Sequence, residues 1–308
     1  MRISMERIIA SIFVIILALA FIQPKISSTD VQEDSFSEES KLNQGNDNYI
    51  NSTAGNDTIK IASFNIKVFG KTKSSKEDVM NNLVEIVKRY DVIAIQEIKD
   101  ISEETPYAFL DKINQNGTEY GMVLSERTGL HENDKTSQEQ YAVFYNKDKI
   151  FAMDDGQLFN DSENDLFQRE PLTTRLSTKG GEFTFVMQVI HTKPSSAVEE
   201  IQALHQVFEW SRTYYSDEMN FIMLGDFNAG CSYASPEELD EMEIRSENYT
   251  WIIPDYADTN LADSICAYDR IVISEHTNHY YTGNWGIDST FTNDSISDHW
   301  PIWFEIIV

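Results

Sequence analysis

The sequence predicts an α/β fold of the α+β type, because short apolar segments alternate with amphipathic ones. Residues 92–95 and 221–224 are continuously apolar and too short for a helix, as in strands that are covered on both faces. Residues 58–70 alternate like a strand, and residues 74–90 carry apolar side chains at helical spacing. The order strand, helix, strand over 58–97 therefore predicts a βαβ unit.

The remaining elements follow from the same patterns in chain order. Ser74 and Glu77 form a capping-box pattern that predicts the start of the helix over 74–90. Further on, the sequence predicts a short helix over 106–114, strands over 121–125, 140–145 and 182–191, a long helix after His191, a strand entering Gly225, a helix over 236–244, and strands over 249–253, from Asp269, and after His299. The acidic segment 154–168 is expected to be a solvated loop, with a weak calcium site as the alternative.

Length and charge limit the class of protein. The chain has 308 residues with 41% hydrophobic content, which is enough for one domain of about 250 residues and a tail. Its formal charge is −27, so the protein as a whole does not attract a polyanion over long range. A nucleic-acid substrate would therefore require metal ions or a local basic surface.

The N-terminal residues predict export. Arg2 and Arg7 precede the uncharged segment 8–22, which fits a secretory signal better than a full membrane span. We expect residues 1–28 to be a signal peptide or, as the alternative, an uncleaved anchor. The polar and acidic residues 29–57 are expected to be a disordered linker, and 58–308 the folded domain. The expected location is secreted or extracytoplasmic.

Cys231 and Cys266 are the two cysteines of the chain. In an exported protein they are expected to form a disulfide, with two buried free thiols as the alternative.

Polar groups recur where predicted buried strands begin or end. The set is Asn65, Glu97, Glu139, His191, Asp226, Asn228, Asp269, Asp298 and His299. Two histidines can supply a general base and a general acid, and each needs a carboxylate on its far ring nitrogen. Carboxylate and amide oxygens suit a hard divalent cation that neutralises charge on phosphorus. The set thus predicts metal-assisted hydrolysis of a phosphate ester.

Five blocks of sequence contain polar residues of this set: FNIKVFG at 64–70, IQEIKD at 95–100, GDFNAGCSY at 225–233, CAYDRIV at 266–272 and SDHWP at 297–301. A sixth block is REP at 169–171. Together the six blocks resemble the deoxyribonuclease I family, of the endonuclease/exonuclease/phosphatase superfamily. The blocks stand in the family's order, and the resemblance covers 58–308. It implies a four-layer sandwich, in which two central mixed β-sheets pack face to face between helices, with the active site at one edge.

The resemblance also implies residue roles. His191 with Glu139 and His299 with Asp269 would be the acid/base pairs. Glu97 would be the main metal ligand, with Asn65 and Asp298. Asp226 and Asn228 would complete phosphate binding, Arg169 would contact the scissile region, and Lys67 and Lys99 would contact the DNA backbone. The family uses Mg²⁺ or Mn²⁺ for catalysis and often Ca²⁺ for loop stability.

These observations predict an exported, metal-dependent endonuclease that acts on DNA with low sequence specificity. We expect it to be a monomer without a stable protein partner, at a membrane only if its N-terminal segment stays uncleaved. One alternative is a related phosphodiesterase or phosphatase acting on a phospholipid or an inositol phosphate. The other is a non-catalytic binding protein with the same fold.

Overall fold

The computed structural model describes residues 57–115, 117, 119–130 and 137–308. The predicted signal peptide, and the predicted linker up to residue 56, lie outside this part, as do residues 131–136. The described residues belong to one compact unit. None of the helices in these ranges is long and apolar enough to cross a membrane.

Six strands form the first sheet, in the spatial order β12-β13-β1-β2-β4-β3. They are β1 (Thr58–Phe69), β2 (Val92–Ile98), β3 (Tyr120–Leu124), β4 (Gln140–Asn146), β12 (Tyr281–Ile287) and β13 (Ile302–Ile307). β1 and β2 are parallel and the other pairs are antiparallel, so the sheet is mixed.

The second sheet is mixed as well, with the order β10-β11-β9-β8-β7-β5 and β6 paired to β7. Its strands are β5 (Ile150–Ala152), β6 (Gln157–Leu158), β7 (Leu172–Thr178), β8 (Thr184–His191), β9 (Phe221–Asp226), β10 (Tyr249–Trp251) and β11 (Asp269–Ser274). β8 and β9 run parallel, and a helix joins them as in a βαβ unit.

The helices are α1 (Lys71–Ser74), α2 (Glu77–Val87), α3 (Glu104–Ile113), α4 (Ala197–Tyr214), α5 (Pro236–Asp240) and α6 (Glu275–Asn278). α2 and α3 cover the outer face of the first sheet, and α4 covers the outer face of the second.

The two inner faces share one apolar core, which explains the continuously apolar strands. On β9, Ile222 and Leu224 enter the central core, whereas Phe221 and Met223 pack under α4. On β1, Ile59 and Ile61 face the central core, while Phe64 faces α2. Side chains of a strand alternate between faces, so a strand in a middle layer needs apolar residues at every position. The structure thus confirms the four-layer sandwich of two mixed sheets and flanking helices.

One predicted helix differs in its start. The prediction of a capping box at Ser74 is wrong. Ser74 ends α1, and Lys76 precedes α2 without a side-chain cap. Gly70 and the short α1 turn the chain before the amphipathic helix begins. A capping box occurs instead at Ser235, whose Oγ accepts from Glu238 N at the start of α5.

Four strands were missed by pattern, the short β5 and β6 and the longer β7 and β12, and one segment is less solvated than predicted. β7 has buried threonines at Thr173 and Thr174, so its sequence looks polar although it lies inside the sheet. β12 lies at a sheet edge, and its residues are half-buried or exposed. The prediction of a solvated loop over 154–168 is wrong in part, because Phe159 and Phe167 pack edge to face in the core under α4.

Candidate active site

Three neighbouring strands of the second sheet bring their polar ends into one row. His191, the last residue of β8, is in register with Asp226, the last residue of β9. Asp226 is in turn opposite Asp269, the first residue of β11. Because β8 and β9 are parallel and β11 is antiparallel to β9, two strand ends and one strand start meet at the same edge. Three side chains from distant parts of the sequence therefore become neighbours.

Gly225 allows this row to form. It has a φ of +149°, and a Cβ at this position would lie 1.8 Å from the carbonyl oxygen of Ile190. The backbones of β8 and β9 approach each other here more closely than any side chain permits. The position is directly next to His191 and Asp226, so the absence of a side chain sets the spacing between them.

The first sheet contributes Asn65 and Glu97 through irregular strand ends. The register between β1 and β2 shifts after Asn65, and that between β2 and β4 shifts after Ile95. Glu97 has a φ of 62° and Val68, a β-branched residue, has a φ of 51°. Such values are rare and costly outside glycine, and they cluster at functional sites. Here they place the Glu97 carboxylate against Asn65, whose Nδ2 is 3.1 Å from Glu97 Oε1.

Each predicted catalytic histidine contacts its own carboxylate. His191 Nδ1 is 2.8 Å from Glu139 Oε1, and His299 Nδ1 is 2.8 Å from Asp269 Oδ2. Both carboxylates are fully buried. A carboxylate bound to Nδ1 keeps the proton on that nitrogen and directs Nε2 outward, which is the arrangement of an acid or base that exchanges protons at Nε2.

Asp226 lies between the two rings. Its Oδ2 is 3.6 Å from His191 Nε2 and 3.6 Å from His299 Nε2. The same oxygen accepts a hydrogen bond of 3.0 Å from Asn65 Nδ2, and Oδ1 accepts one from Asn228 N. The two imidazoles therefore face a common point, and residues of both sheets meet there.

Charges within this site perturb the pKa values of its groups. Burial alone would raise the pKa of Glu139, but His191 and Arg169 outweigh it and lower the pKa to about 2. Burial alone would lower the pKa of His299, but Asp269 and Asp226 raise it to about 10. Burial would raise the pKa of Asp226, yet the two histidines lower it. Strong shifts of this kind are typical of active sites.

Arg169, Lys99 and Lys67 lie around the predicted pairs. Arg169 is 4% exposed and donates to the backbone carbonyls of His191 and Thr192 at 2.9 and 2.7 Å. The structure thus places it behind His191, and its predicted contact with substrate stays a prediction. Lys99 Nζ is 3.5 Å from Glu139 Oε2. Lys67 Nζ is 3.1 Å from Asp298 Oδ2.

The predicted metal ligands fit a hard divalent cation by their chemistry. Glu97 and Asp226 both accept from the amide nitrogen of Asn65, so two carboxylates converge with a neutral group between them. Asp298 is half-exposed and already attracts a cation, the ammonium of Lys67. Oxygen donors of this type suit Mg²⁺ or Mn²⁺. Among the described residues, Asp226, Asp269 and His299 also lie close enough to share an ion. The hydrogen bond between Asp269 and His299 favours a proton-transfer pair, rather than a metal site, at these two residues.

Cys231 and Cys266 form a disulfide that joins the segment after β9 to the segment before β11. These strands end and begin at Asp226 and Asp269, so the bridge ties the two segments that adjoin this row of the site.

Several supporting residues were not found by sequence reasoning. Tyr141 OH accepts from His191 N at 3.2 Å, Ser297 Oγ donates to Asn65 O at 2.6 Å, and buried Lys73 donates to the carbonyls of Ile66 and Ile296. They act through the backbone, and their residue types are common in strands and turns. The sequence offered one local signal of such a supporting residue, namely Gly225, a glycine directly before an aspartate at a strand end.

Comparisons with known proteins show the fold and the family of this chain. Residues 62–299 match the model of the Endonuclease/Exonuclease/phosphatase family. At the level of fold, the chain superposes with a TM-score of 0.58 on a crystal structure of D. rerio TDP2 humanized by 14 mutations, at 12% identity, covering 82% of this chain and 99% of that one. A Bacteroides vulgatus endonuclease/exonuclease/phosphatase gives a TM-score of 0.56 at 16% identity, with coverage of 82% and 99%. The fold and the family model thus define the class: an endonuclease/exonuclease/phosphatase protein.

Curated relatives narrow this class. The chain is 33% identical to deoxyribonuclease-1 of Mus musculus over 264 residues, 80% of this chain and 90% of that protein. It is 35% identical to deoxyribonuclease-1 of Homo sapiens, over 70% and 77% of the two chains, and 34% identical to deoxyribonuclease gamma of Rattus norvegicus, over 81% and 84%. The chain belongs to the deoxyribonuclease I family. This membership supports a nuclease or phosphodiesterase activity.

Proposed function

We propose that the chain is an exported, divalent-metal-dependent endonuclease that hydrolyses DNA phosphodiester bonds with low sequence specificity. One observation carries the proposal: two histidine–carboxylate pairs direct their Nε2 atoms at the same carboxylate, Asp226 Oδ2, each at 3.6 Å. Hydrolysis of a diester needs a base on the attacking side and an acid on the leaving side, and paired imidazoles that face one point supply both.

The mechanism follows from what each side chain can do. One imidazole accepts a proton from the attacking water at Nε2, and the other donates one to the leaving oxygen. Glu139 and Asp269 hold the Nδ1 protons and stabilise the charged rings. Asn65 and Asn228 keep Asp226 in place through hydrogen bonds to its two oxygens. Glu97, Asn65 and Asp298 would hold the metal, which when bound neutralises charge on the phosphoryl oxygens.

Three lysines adjoin the site in a chain whose net charge is −27. Each of them is paired with a carboxylate: Lys67 with Asp298, Lys71 with Glu104 and Lys99 with Glu139. A phosphate backbone competes with these carboxylates for the lysines, so divalent ions that neutralise the acidic side chains should strengthen DNA binding. The names of the relatives, deoxyribonuclease-1 and deoxyribonuclease gamma, favour DNA over a phospholipid or an inositol phosphate.

A nicking assay on supercoiled plasmid tests the proposal. We expect nicking with Mg²⁺ or Mn²⁺, loss of nicking with a chelator, and a decrease of about 10²- to 10⁴-fold for His191→Ala and for His299→Ala. His205→Ala is the matched control, because this histidine lies on α4 and bonds to Tyr249 OH. Turnover of a phospholipid without nicking would contradict a DNA substrate, and equal activity of all three variants would contradict the assigned roles.

Export and oligomeric state are tested separately. We propose cleavage after the N-terminal segment, so mass spectrometry of protein from the outside of the expressing cell should give a mature chain that begins near residue 28. Recovery with the membrane and an intact N-terminus would favour an anchor.

We also propose a monomer, and light scattering of the folded domain at assay concentration should give a mass near that of one chain.

A further inference from the structure

A second buried carboxylate lies behind the active site and takes no part in the proposed mechanism. Glu200, in the first turn of α4, is 2% exposed, whereas its neighbour Glu199 is exposed. A buried carboxylate is costly unless hydrogen bonds replace the water that it loses. Its partners therefore indicate what it does in the fold.

Both oxygens of Glu200 accept hydrogen bonds from the main chain of two separate segments. Oε1 accepts from Gln168 N and Oε2 from Lys193 N, each at 3.1 Å. The first donor directly precedes Arg169, and the second follows His191 by two residues. Burial raises the pKa of Glu200 to about 7, and the two N–H groups favour its charged form. One side chain thus connects the segments that carry Arg169 and His191.

The backbone hydrogen bonds of the sheet do not connect the segments that carry Arg169 and His191. The ladder between β7 and β8 ends at Leu172 and Val189, so the residues before β7 and after Val189 extend beyond it. Across this gap, Arg169 donates to the carbonyl oxygens of His191 and Thr192, and its Nε is 3.6 Å from Glu139 Oε1. Arg169 is therefore a buried cation next to the carboxylate that binds His191. Glu200 holds the same two segments through their backbone N–H groups.

We propose that Glu200 is a positioning residue for the phosphodiesterase reaction. It fixes the segments around Arg169 and His191, and through them it keeps the His191 ring aligned with Glu139 and Asp226. The expected effect of Glu200 on the reaction rate rests on the proposed function. Its expected effect on the position of His191 rests on the hydrogen bonds alone. A displacement of about 1 Å at a reacting group lowers rates by roughly 10²-fold.

The test compares three variants. Glu200→Gln keeps the shape but turns one acceptor into a donor that faces an N–H. Glu200→Asp keeps the charge on a shorter side chain, and Glu199→Gln makes the same chemical change at the exposed neighbour. We expect Glu200→Gln to lower kcat by about 10- to 10²-fold on plasmid DNA with KM unchanged within about twofold. Glu200→Asp should regain part of kcat, and Glu199→Gln should match the wild type.

NMR provides a readout that is independent of activity. In Glu200→Gln the imidazole resonances of His191 should shift, while those of His205 should stay in place. Unchanged His191 resonances in a folded Glu200 variant would overturn the proposal, and so would a kcat equal to that of Glu199→Gln. If Glu200→Gln does not fold, the same criteria apply to Glu200→Asp. A wild type without nicking activity contradicts the proposed function instead, and the resonances still decide the role of Glu200.

Discussion

Gly225→Ala tests whether close packing of β8 and β9 sets the geometry of the site. A methyl group at this position would lie 1.8 Å from Ile190 O, whereas ordinary contacts begin at 3.4 Å. The obstacle is backbone, so the strands must separate by roughly 1.5 Å directly beside His191 and Asp226, and a shift of this size costs about 10²-fold in rate. We therefore expect kcat/KM for plasmid nicking to fall by about 10²-fold in protein that is still folded.

The matched control is Gly181→Ala. Gly181 also has a positive φ, +77°, but a methyl group there meets nothing within 4 Å. Both variants place alanine in an unfavourable backbone conformation, at a cost of about 1 to 3 kcal/mol, and only Gly225→Ala adds the collision. Nicking rates and thermal unfolding are measured for both. An activity of Gly225→Ala within about threefold of Gly181→Ala would refute the argument.

Three further predictions concern the carboxylates and the disulfide. Asp269→Asn should lower kcat by about 10²- to 10⁴-fold with little change in DNA binding, because an amide does not stabilise the charged ring of His299. An unchanged kcat would contradict the pairing of Asp269 with His299. Reduction of the bridge between Cys231 and Cys266, which are 35 residues apart, should lower the free energy of unfolding by about 4 kcal/mol, measured by denaturation with and without reductant. Burial raises the pKa of Glu200 in the folded protein to about 7, above its ordinary 4.5. Its protonated form therefore makes a contribution to the free energy of unfolding that is complete below about pH 4.5 and is lost as the pH rises through 7. The free energy of unfolding of the wild type, relative to Glu200→Gln, should therefore fall by about 3 kcal/mol between pH 4 and pH 8, and a flat difference would show that the carboxyl is not perturbed.

Local patterns predicted most of the fold because middle layers impose apolar residues on both faces of a strand. β2, β8 and β9 were found for this reason, and α4 was found from its apolar stripe. β7 was missed because Thr173 and Thr174 make its sequence look polar, and no local pattern reveals that both are buried inside a sheet. β12 was missed because an edge strand with glycines has little apolar alternation.

The sequence by itself determined which residue types stand at strand ends, and it thereby indicated the parts of a phosphodiesterase site. Only the tertiary structure decided how these parts meet. The register between β8, β9 and β11 places His191, Asp226 and Asp269 in one row, and the positive φ of Glu97 directs its carboxylate at Asn65. Register and backbone strain depend on contacts between residues far apart in the chain, whereas a sequence pattern reports only the near ones.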